Sequence, residues 1–155
     1  MKRESGQSLF ELVSVVFVIS MGLLALVSLS ARAVSNTSQS RDKSIAGRLT
    51  QEGIEWIRSE RDRVNWATFR NTYSNVSGVT YCLNVLSATT WNQNTGCSSG
   101  MVVSINGQPS NFVRSALLTR TSDDSVNVVV VTNWVDGTGN RESRVTTTLT
   151  SWRGN

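Results

Sequence analysis

The sequence predicts an α+β protein in which one long amino-terminal helix packs on a carboxyl-terminal antiparallel β-sheet. Three observations support this fold class. Leu12 to Leu29 is a run of 18 residues without a charge, and as a helix it spans roughly 27 Å, close to the hydrocarbon thickness of a bilayer. The residues that follow keep a helical period. Those after Trp66 form short β-branched or aromatic runs separated by turn residues.

The composition fits one modest domain with an appendage. The chain has 155 residues, of which 39% are hydrophobic, so a single core is expected. The net charge of +4 does not fix how the apolar run is oriented in a membrane, because Lys2 and Arg3 precede it while Arg32, Arg41 and Lys43 follow it.

The first predicted element is one helix of about 55 residues, since no strong helix breaker separates the apolar run from the segment ending near Trp66. We expect its first half to enter a membrane and its second half to be amphipathic. Gly22, Gly47 and Gly53 are expected to soften it locally. The predicted apolar face comprises Ile45, Ala46, Leu49, Gly53, Trp56, Ile57 and Val64, and the polar face comprises Arg48, Gln51, Glu55, Arg58 and Asp62.

The remaining predicted elements are strands, at 79–86, 101–105, 112–120, 126–134 and 141–152. The sequences TSDDS (121–125) and DGTGN (136–140) indicate turns, so the last three strands should form an antiparallel meander. Alternation in the last strand predicts one face on a helix and one in water. The segment 87–100, SATTWNQNTGCSSG, is polar and glycine-containing, which predicts a surface loop held by its cysteine.

Cys82 and Cys97 are the only cysteines, with fourteen residues between them. A pair this close in a loop-rich region favours a disulfide over a metal site, because the sequence has no histidine to complete a Cys/His ligand set. Two free buried thiols are the alternative. If the disulfide forms, the globular part lies outside the reducing cytoplasm.

A secretory signal is the simplest alternative explanation of the apolar run. The tripeptide A-R-A ending at Ala33 has the form that signal peptidase prefers, so cleavage there would release a secreted β-rich binding module starting at Val34. Two features disfavour this interpretation. The apolar region exceeds the roughly 7 to 15 residues usual in such signals, and Glu11 interrupts a hydrophobic run that has already begun.

The amino terminus resembles that of type IV pilins and type II secretion pseudopilins. In that family a short basic leader ends in a glycine, and four further residues, a glutamate and a membrane helix follow. The same order is found here in KRESG, QSLFE and the long apolar stretch. TQEGIEWIRSERDRVNW and the carboxyl-terminal VVVVTNWVD and RVTTTLTSW are similar in pattern to bacterial minor pilins of the PilV-like kind. The resemblance covers about the first 30 residues strongly, the helix to Trp66 moderately and the sheet in outline.

The resemblance implies a leader peptide at 1–6, a transmembrane and filament-core helix at 7–30, an amphipathic continuation at 31–66 and a globular sheet domain at 67–155. A prepilin peptidase would cleave between Gly6 and Gln7, and the new amino terminus at Gln7 would be methylated.

The same resemblance implies an assembly salt bridge between Glu11 and the positive amine of Gln7 in a neighbouring subunit. A carboxylate in hydrocarbon is costly and usually marks a specific partner. Glu11 also lies near the positive end of the helix dipole, which is a weaker explanation within one chain. Two features depart from the family: Gln7 stands where a large apolar residue is usual, and the apolar run lacks the proline of many major pilins.

No enzymatic motif is apparent. The absence of histidine excludes a histidine-based triad, and neither a G-x-S-x-G elbow nor a phosphate loop occurs, so we expect no enzyme and no cofactor. Acidic residues in the amphipathic helix stand three or four positions from arginines, which favours solvated ion pairs. These residues are Glu52, Glu55, Glu60 and Asp62. Asp123, Asp124 and Asp136 indicate turns, and a calcium site there would need further oxygen ligands; no metal is predicted.

Nucleic-acid binding is not favoured. From Thr72 onward the chain has five arginines against four acidic residues and no basic run. Trp91, Trp134 and Trp152 are expected to pack in the sheet domain rather than to stack on bases.

The sequence therefore predicts a structural subunit, preferably a minor pilin, of a type IV pilus or related filament. Its precursor would be a single-pass protein of the inner membrane with its carboxyl-terminal domain outside, later assembled into a surface pilus. The predicted partners are other pilin subunits, the prepilin peptidase and the pilus assembly machinery of the inner membrane. Alternatives are a secretion pseudopilin, a DNA-uptake pilin or the secreted module beginning at Val34. The 87–100 loop and the DGTGN turn are the predicted contact or adhesion regions.

Overall fold

The computed structural model describes residues 5–92, 95–98, 100–137 and 139–151. The chain divides into two compact units, the first ending at Arg41 and the second beginning at Asp42. The helices are α1 (Ser5–Arg63), α2 (Trp66–Tyr73) and a short 3-10 helix (Ala88–Asn92). The strands are β1 (Val79–Cys82), β2 (Ser104–Ile105), β3 (Gln108–Pro109), β4 (Val113–Ser122), β5 (Ser125–Asp136) and β6 (Gly139–Thr150).

Four strands form the main sheet of the second unit in the order β1-β4-β5-β6, and each neighbouring pair is antiparallel. The meander of the last three strands and its two turns are confirmed. Strands β2 and β3 form a separate hairpin. Its turn residues Asn106 and Gly107 have positive φ angles of 52° and 77°, the backbone of the type I′ turn that Asn-Gly favours.

One face of α1 packs on this sheet within the second unit, which confirms the predicted α+β fold. The buried positions recur at intervals of three and four residues, as expected for an amphipathic helix. At its middle, the buried hydroxyl of Thr50 contacts that of Thr132 in β5 at 2.9 Å. The buried residues of this face are Ala46, Leu49, Thr50, Gly53, Ile54, Ile57 and Glu60.

The core lies between this helix face and alternate residues of the strands. In β5, Val126, Val128 and Val130 are fully buried and join Ile54 and Ile57 of α1 in the larger cluster. Each such side chain contributes about 1.5 to 3 kcal/mol on burial. A smaller cluster contains Ala46, Leu49, Val103, Phe112 and Trp134. The predicted alternation in β6 is confirmed, since its outward residues are exposed and Leu149 is buried.

The structure contains a short α-helix that was not predicted, and two predicted strands are shorter than expected. Residues 66–73 form α2, a helix that the sequence pattern did not predict. Asn65 caps this helix by accepting a hydrogen bond from the Thr68 backbone N–H at 2.7 Å. Phe69 on α2 is fully buried. The strand predicted over 79–86 ends at Cys82, and the one predicted over 101–105 is reduced to β2.

The prediction that 87–100 is a surface loop was wrong for Thr90 and Trp91, which are buried. The Trp91 ring stacks on Tyr73 with centroids 4.2 Å apart and on Trp56 at 5.1 Å. It meets Tyr81 edge-on at 4.9 Å. Aromatic pairs of this kind add about 0.5 to 1.5 kcal/mol each beyond area burial, so a polar loop supplies one of the main core residues.

Gly53 is a point of close packing rather than a soft point of the helix. A Cβ atom there would lie 3.1 Å from Val130 Cγ1, 3.2 Å from Arg114 Cδ and 3.3 Å from Leu83 Cδ1. At Gly47, on the same helix, a Cβ atom would meet nothing within 4 Å. Glycine at position 53 therefore lets the helix approach the sheet.

The two glycines make a matched pair for mutation. Gly53→Ala should lower the free energy of unfolding by about 1 to 3 kcal/mol, because the added methyl overpacks three buried neighbours. Gly47→Ala should raise it by about 0.5 to 1 kcal/mol, because alanine is the better helix former. Urea unfolding of the full chain in a non-ionic detergent, followed by tryptophan fluorescence, measures both. Equal stability of the two variants would contradict the close approach at Gly53.

Glu60 is not the solvated residue that was predicted, although its ion pair with Arg63 is present. Its side chain is 9% exposed and accepts hydrogen bonds from Arg63 Nε at 2.9 Å, Arg63 Nη2 at 2.7 Å and Trp91 Nε1 at 3.0 Å. The bonds from Arg63, and less strongly the bond from Trp91, lower the pKa of the Glu60 carboxyl, against the opposing effect of burial. The exposed pair of Glu55 and Arg58, at 2.6 Å, matches the prediction.

The lowered pKa of Glu60 predicts a loss of stability in acid. Because the pKa is lower in the folded state, the stabilisation is fully present above the unfolded-state value of about 4.3 and is lost as the pH falls through the folded-state value. Glu60→Gln should lower the free energy of unfolding by about 1 to 3 kcal/mol at pH 7, and its difference from the wild type should shrink towards pH 3. Urea unfolding across pH 3 to 7 measures this. The control is Glu55→Gln at an exposed position, which should change stability little. If the difference in free energy of unfolding between the wild type and Glu60→Gln stayed constant from pH 3 to 7, the prediction would be contradicted.

Candidate functional site: the apolar segment, its flanking residues and the disulfide

The first unit, which ends at Arg41, contains the apolar part of α1. The helix from Leu9 to Arg63 contains an 18-residue window with a mean hydropathy of 2.7, of which none is buried within the protein. By length and composition it suits a membrane anchor, and a signal sequence near the amino terminus meets the same criterion.

Large apolar side chains in this unit are exposed along the whole segment. Their exposed fractions range from 51% at Val15 to 77% at Phe10. A contiguous apolar surface of this extent is rare on monomeric soluble proteins and marks contact with lipid or with other protein chains. The segment therefore needs an environment that the chain itself does not supply.

The hydroxyl groups in this segment are satisfied within the helix. Ser14, Ser20 and Ser28 each donate a hydrogen bond to the backbone carbonyl four residues earlier, at 2.8, 2.7 and 2.9 Å. A hydroxyl paired in this way avoids most of the cost of entering hydrocarbon. The serines are thus compatible with an apolar surrounding.

The predicted processing and assembly residues lie at the start of α1. The backbone of Gly6 and Gln7 is helical, while the Gln7 side chain lies outside the described part of the chain. Glu11 follows Gln7 by four residues, about one helical turn. Its side chain is exposed and has no hydrogen bond or ion pair with another described residue. The cleavage, the methylation and the assembly salt bridge stay predictions.

The alternative cleavage site after Ala33 also lies inside α1. The first buried residue beyond it is Ala46, at the start of the face that packs on the sheet. A cut after Ala33 would therefore leave every buried residue of the second unit in place.

The predicted disulfide between Cys82 and Cys97 is confirmed, with the two sulfur atoms 2.05 Å apart. Cys82 ends β1, and the returning segment is also held by a hydrogen bond from the Gly96 backbone N–H to the Thr80 carbonyl at 2.9 Å. This disulfide indicates that the second unit is located outside the reducing cytoplasm.

Arg114 is a structurally central residue, and no motif in the sequence marks it. Its side chain is 2% exposed and donates hydrogen bonds to the carbonyls of Leu49 at 2.8 Å and Leu83 at 3.0 Å and to the Glu52 carboxylate at 3.0 Å. Burial lowers the pKa of Arg114, against the opposing effect of Glu52. The alternation of residues along β4 indicates that Arg114 faces inward, because every second residue here is buried. These buried residues are Phe112, Arg114, Ala116 and Leu118.

Asp123, one of the acidic turn residues, contributes to the packing of the second unit. Asp123 accepts a hydrogen bond from Arg70 Nη1 at 2.9 Å, and its backbone carbonyl accepts one from Trp66 Nε1, also at 2.9 Å. The turn between β4 and β5 is thereby joined to α2. No group of three acidic or cysteine residues suited to a metal ion occurs within the described ranges.

Comparison of the chain with protein-family models, with curated proteins and with solved structures found no match.

Removal of the disulfide should destabilise the second unit. Replacing both Cys82 and Cys97 by serine is expected to lower the free energy of unfolding by about 3 kcal/mol, because the unfolded chain regains the freedom of a closed loop of about 15 residues. Denaturant unfolding of the full chain with and without a thiol reductant measures this. The wild type should lose stability on reduction and the double variant should not respond. If reduction exposed two titratable thiols in the wild type but left its free energy of unfolding unchanged, the prediction would be contradicted.

Proposed function

We propose that this chain is the precursor of a structural subunit of a type IV pilus or related filament, most simply a minor pilin. One observation carries the proposal. A helix of membrane-spanning length with exposed apolar side chains has a glutamate, Glu11, near its start, five residues after Gly6. The continuation of the same helix into an amphipathic segment packed on an antiparallel sheet supports it. The proposed role is structural and requires no catalytic group or cofactor.

In this proposal, cleavage after Gly6 by a prepilin peptidase creates a positive amine on Gln7. Glu11 has no partner among the described residues of its own chain, and a carboxylate in hydrocarbon without a counter-charge is unfavourable. The amine of a neighbouring subunit supplies that charge when two apolar helices pack side by side. Pairing then favours one axial register of the helices, because other registers leave the carboxylate unpaired.

The apolar helix would occupy two environments in turn. As a precursor it would lie in the inner membrane, and in the filament it would pack against the helices of other subunits. Both surroundings are apolar, so the transfer does not expose the helix surface to water. The paired serine hydroxyls are suited to both environments for the same reason.

The second unit would form the filament surface. Its disulfide supports a location outside the cytoplasm. In the loop predicted to make external contacts, 87–100, Trp91 is a core residue. The contact regions of this proposal are therefore the described exposed residues of that loop, such as Ala88, Thr89 and Asn92, and Gly137 in the turn between β5 and β6.

A second candidate function is a secreted β-rich module released after Ala33. The observation that favours it is the unit boundary at Arg41 and Asp42, since a chain beginning at Val34 would keep the complete second unit. The two candidates differ in whether the mature protein retains the apolar helix.

The amino terminus of the mature protein separates these candidates. We expect mass spectrometry and amino-terminal sequencing of membrane and sheared-surface fractions to find a chain that starts at methylated Gln7. A chain starting at Val34 would remove the apolar helix and refute filament assembly through it.

Glu11→Gln tests the assembly salt bridge. Its abundance in sheared surface filaments should fall about tenfold, the effect of losing about 1.4 kcal/mol in subunit addition, while the amount in the membrane and the processing after Gly6 stay unchanged. Quantitative immunoblotting of both fractions measures this. Glu55→Gln is the control, because it removes an exposed carboxylate from the same helix. Normal incorporation of Glu11→Gln would refute the pairing with the Gln7 amine.

A further inference from the structure

A cavity of about 370 Å³ lies in the second unit, between α1, the segment after β1 and the β2–β3 hairpin. Leu49, Leu86, Val103 and Ile105 supply apolar parts of its wall. Apolar walls with a few convergent polar groups are the usual composition of a ligand site. The polar groups that line the cavity indicate the chemical class of its ligand.

The Arg114 side chain lines this cavity although it is almost fully buried. Its Nε and Nη1 groups donate to Leu83, Leu49 and Glu52. Its Nη2 group has no hydrogen-bond partner among the described residues. A guanidinium has five N–H donors and matches a carboxylate in geometry, so a buried Arg114 offers unused donors to an anion in the cavity.

Two further polar side chains meet at the same cavity. Arg48 lines it and forms no ion pair with any residue in the described ranges. The Oδ1 atom of Asn84 is buried and has no donor. A buried acceptor without a donor costs about 1 to 3 kcal/mol. A ligand that brings both a carboxylate and an N–H group would satisfy Arg48, Arg114 and Asn84 together.

The segment Asn84–Leu86 favours a peptide as the bearer of these groups. Its three backbone N–H groups have no acceptor within the described residues. The chain bends at Asn84 and Val85, so only those N–H groups that face the cavity can donate to the carbonyls of a bound peptide. A sugar or a nucleotide base would favour an aromatic platform, and the cavity lining contains no aromatic side chain. The cavity lining contains two arginines, Arg48 and Arg114, and one acidic residue, Glu52, so its net charge is positive.

We propose that this cavity binds an extended peptide segment of a partner protein through an acidic side chain. The carboxylate lies between Arg114 and Arg48, and the peptide backbone runs along Asn84–Leu86 with one N–H donated to Asn84. This inference does not depend on filament assembly, because all the groups involved belong to the second unit.

The test uses the full chain in a non-ionic detergent and the blocked peptide acetyl-Val-Asp-Leu-methylamide, whose only charge is the aspartate. Binding is followed by NMR through the Nε–H signal of Arg114. We expect saturable binding, about tenfold weaker binding of the twin peptide with asparagine in place of aspartate, and loss of binding as the pH falls below about 3.9, where the aspartate is protonated.

Two arginine variants distinguish a specific site from general charge attraction. Arg48→Gln should weaken binding of the aspartate peptide about fivefold to tenfold. Arg120→Gln removes the same charge from a residue that contacts Asn71 and does not line the cavity, so its binding should equal that of the wild type. Arg114 itself is left intact because it also holds the Leu49 and Leu83 carbonyls.

Several results would overturn the inference. Equal affinity for the aspartate and asparagine peptides, or no saturation by either peptide near 1 mM, would exclude a carboxylate site of useful affinity. Equal weakening by Arg48→Gln and Arg120→Gln would reduce the effect to net charge. Acetate that shifts the Arg114 signal as strongly as the peptide, at the same concentration, would show an anion site without peptide recognition.

Discussion

The close approach of α1 to the sheet at Gly53 is the contact on which the packing of the second unit depends. A Cβ atom at this position would lie 3.1 to 3.3 Å from side-chain atoms of Val130, Arg114 and Leu83, so glycine lets the helix approach the sheet this closely without displacing them. At this depth the Arg114 guanidinium reaches the Leu49 carbonyl of the helix and the Leu83 carbonyl after β1. One buried cation therefore joins three elements, and its hydrogen bonds and Glu52 offset the cost of burying its charge.

The aromatic cluster around Trp91 fixes the other end of the same helix. Trp91 comes from a polar segment, yet it packs among Trp56, Tyr73 and Tyr81 and donates its N–H to Glu60. The segment is brought back to the sheet by the disulfide and by the backbone contact of Gly96. The disulfide thus has a local role as well as a global one, because it limits the freedom of the chain that delivers this tryptophan.

The first unit obeys a different constraint. Its side chains have no core of their own, and the hydroxyls of Ser14, Ser20 and Ser28 in its apolar run are paired within the helix. The apolar run can then pass between lipid and protein without exposing an unpaired hydroxyl. Glu11 is the exception, since it carries a charge at the edge of this apolar surface. The proposed filament gives this charge a partner in another subunit, whereas the cavity at Arg114 concerns the recognition of a separate peptide.

The sequence by itself determined the features that depend on local pattern. The charge-free run predicted an exposed apolar helix, the period of three to four predicted the face around Ile57, and the turn residues predicted the meander of β4, β5 and β6. The spacing of the cysteines favoured the disulfide. Only the tertiary structure decided that Trp91 is buried, that Glu60 is shielded and that Gly53 marks a close contact. Each of these features depends on residues that are distant in the chain. Packing against such residues outweighs local polarity and secondary-structure propensity, whereas a sequence pattern reflects only near neighbours.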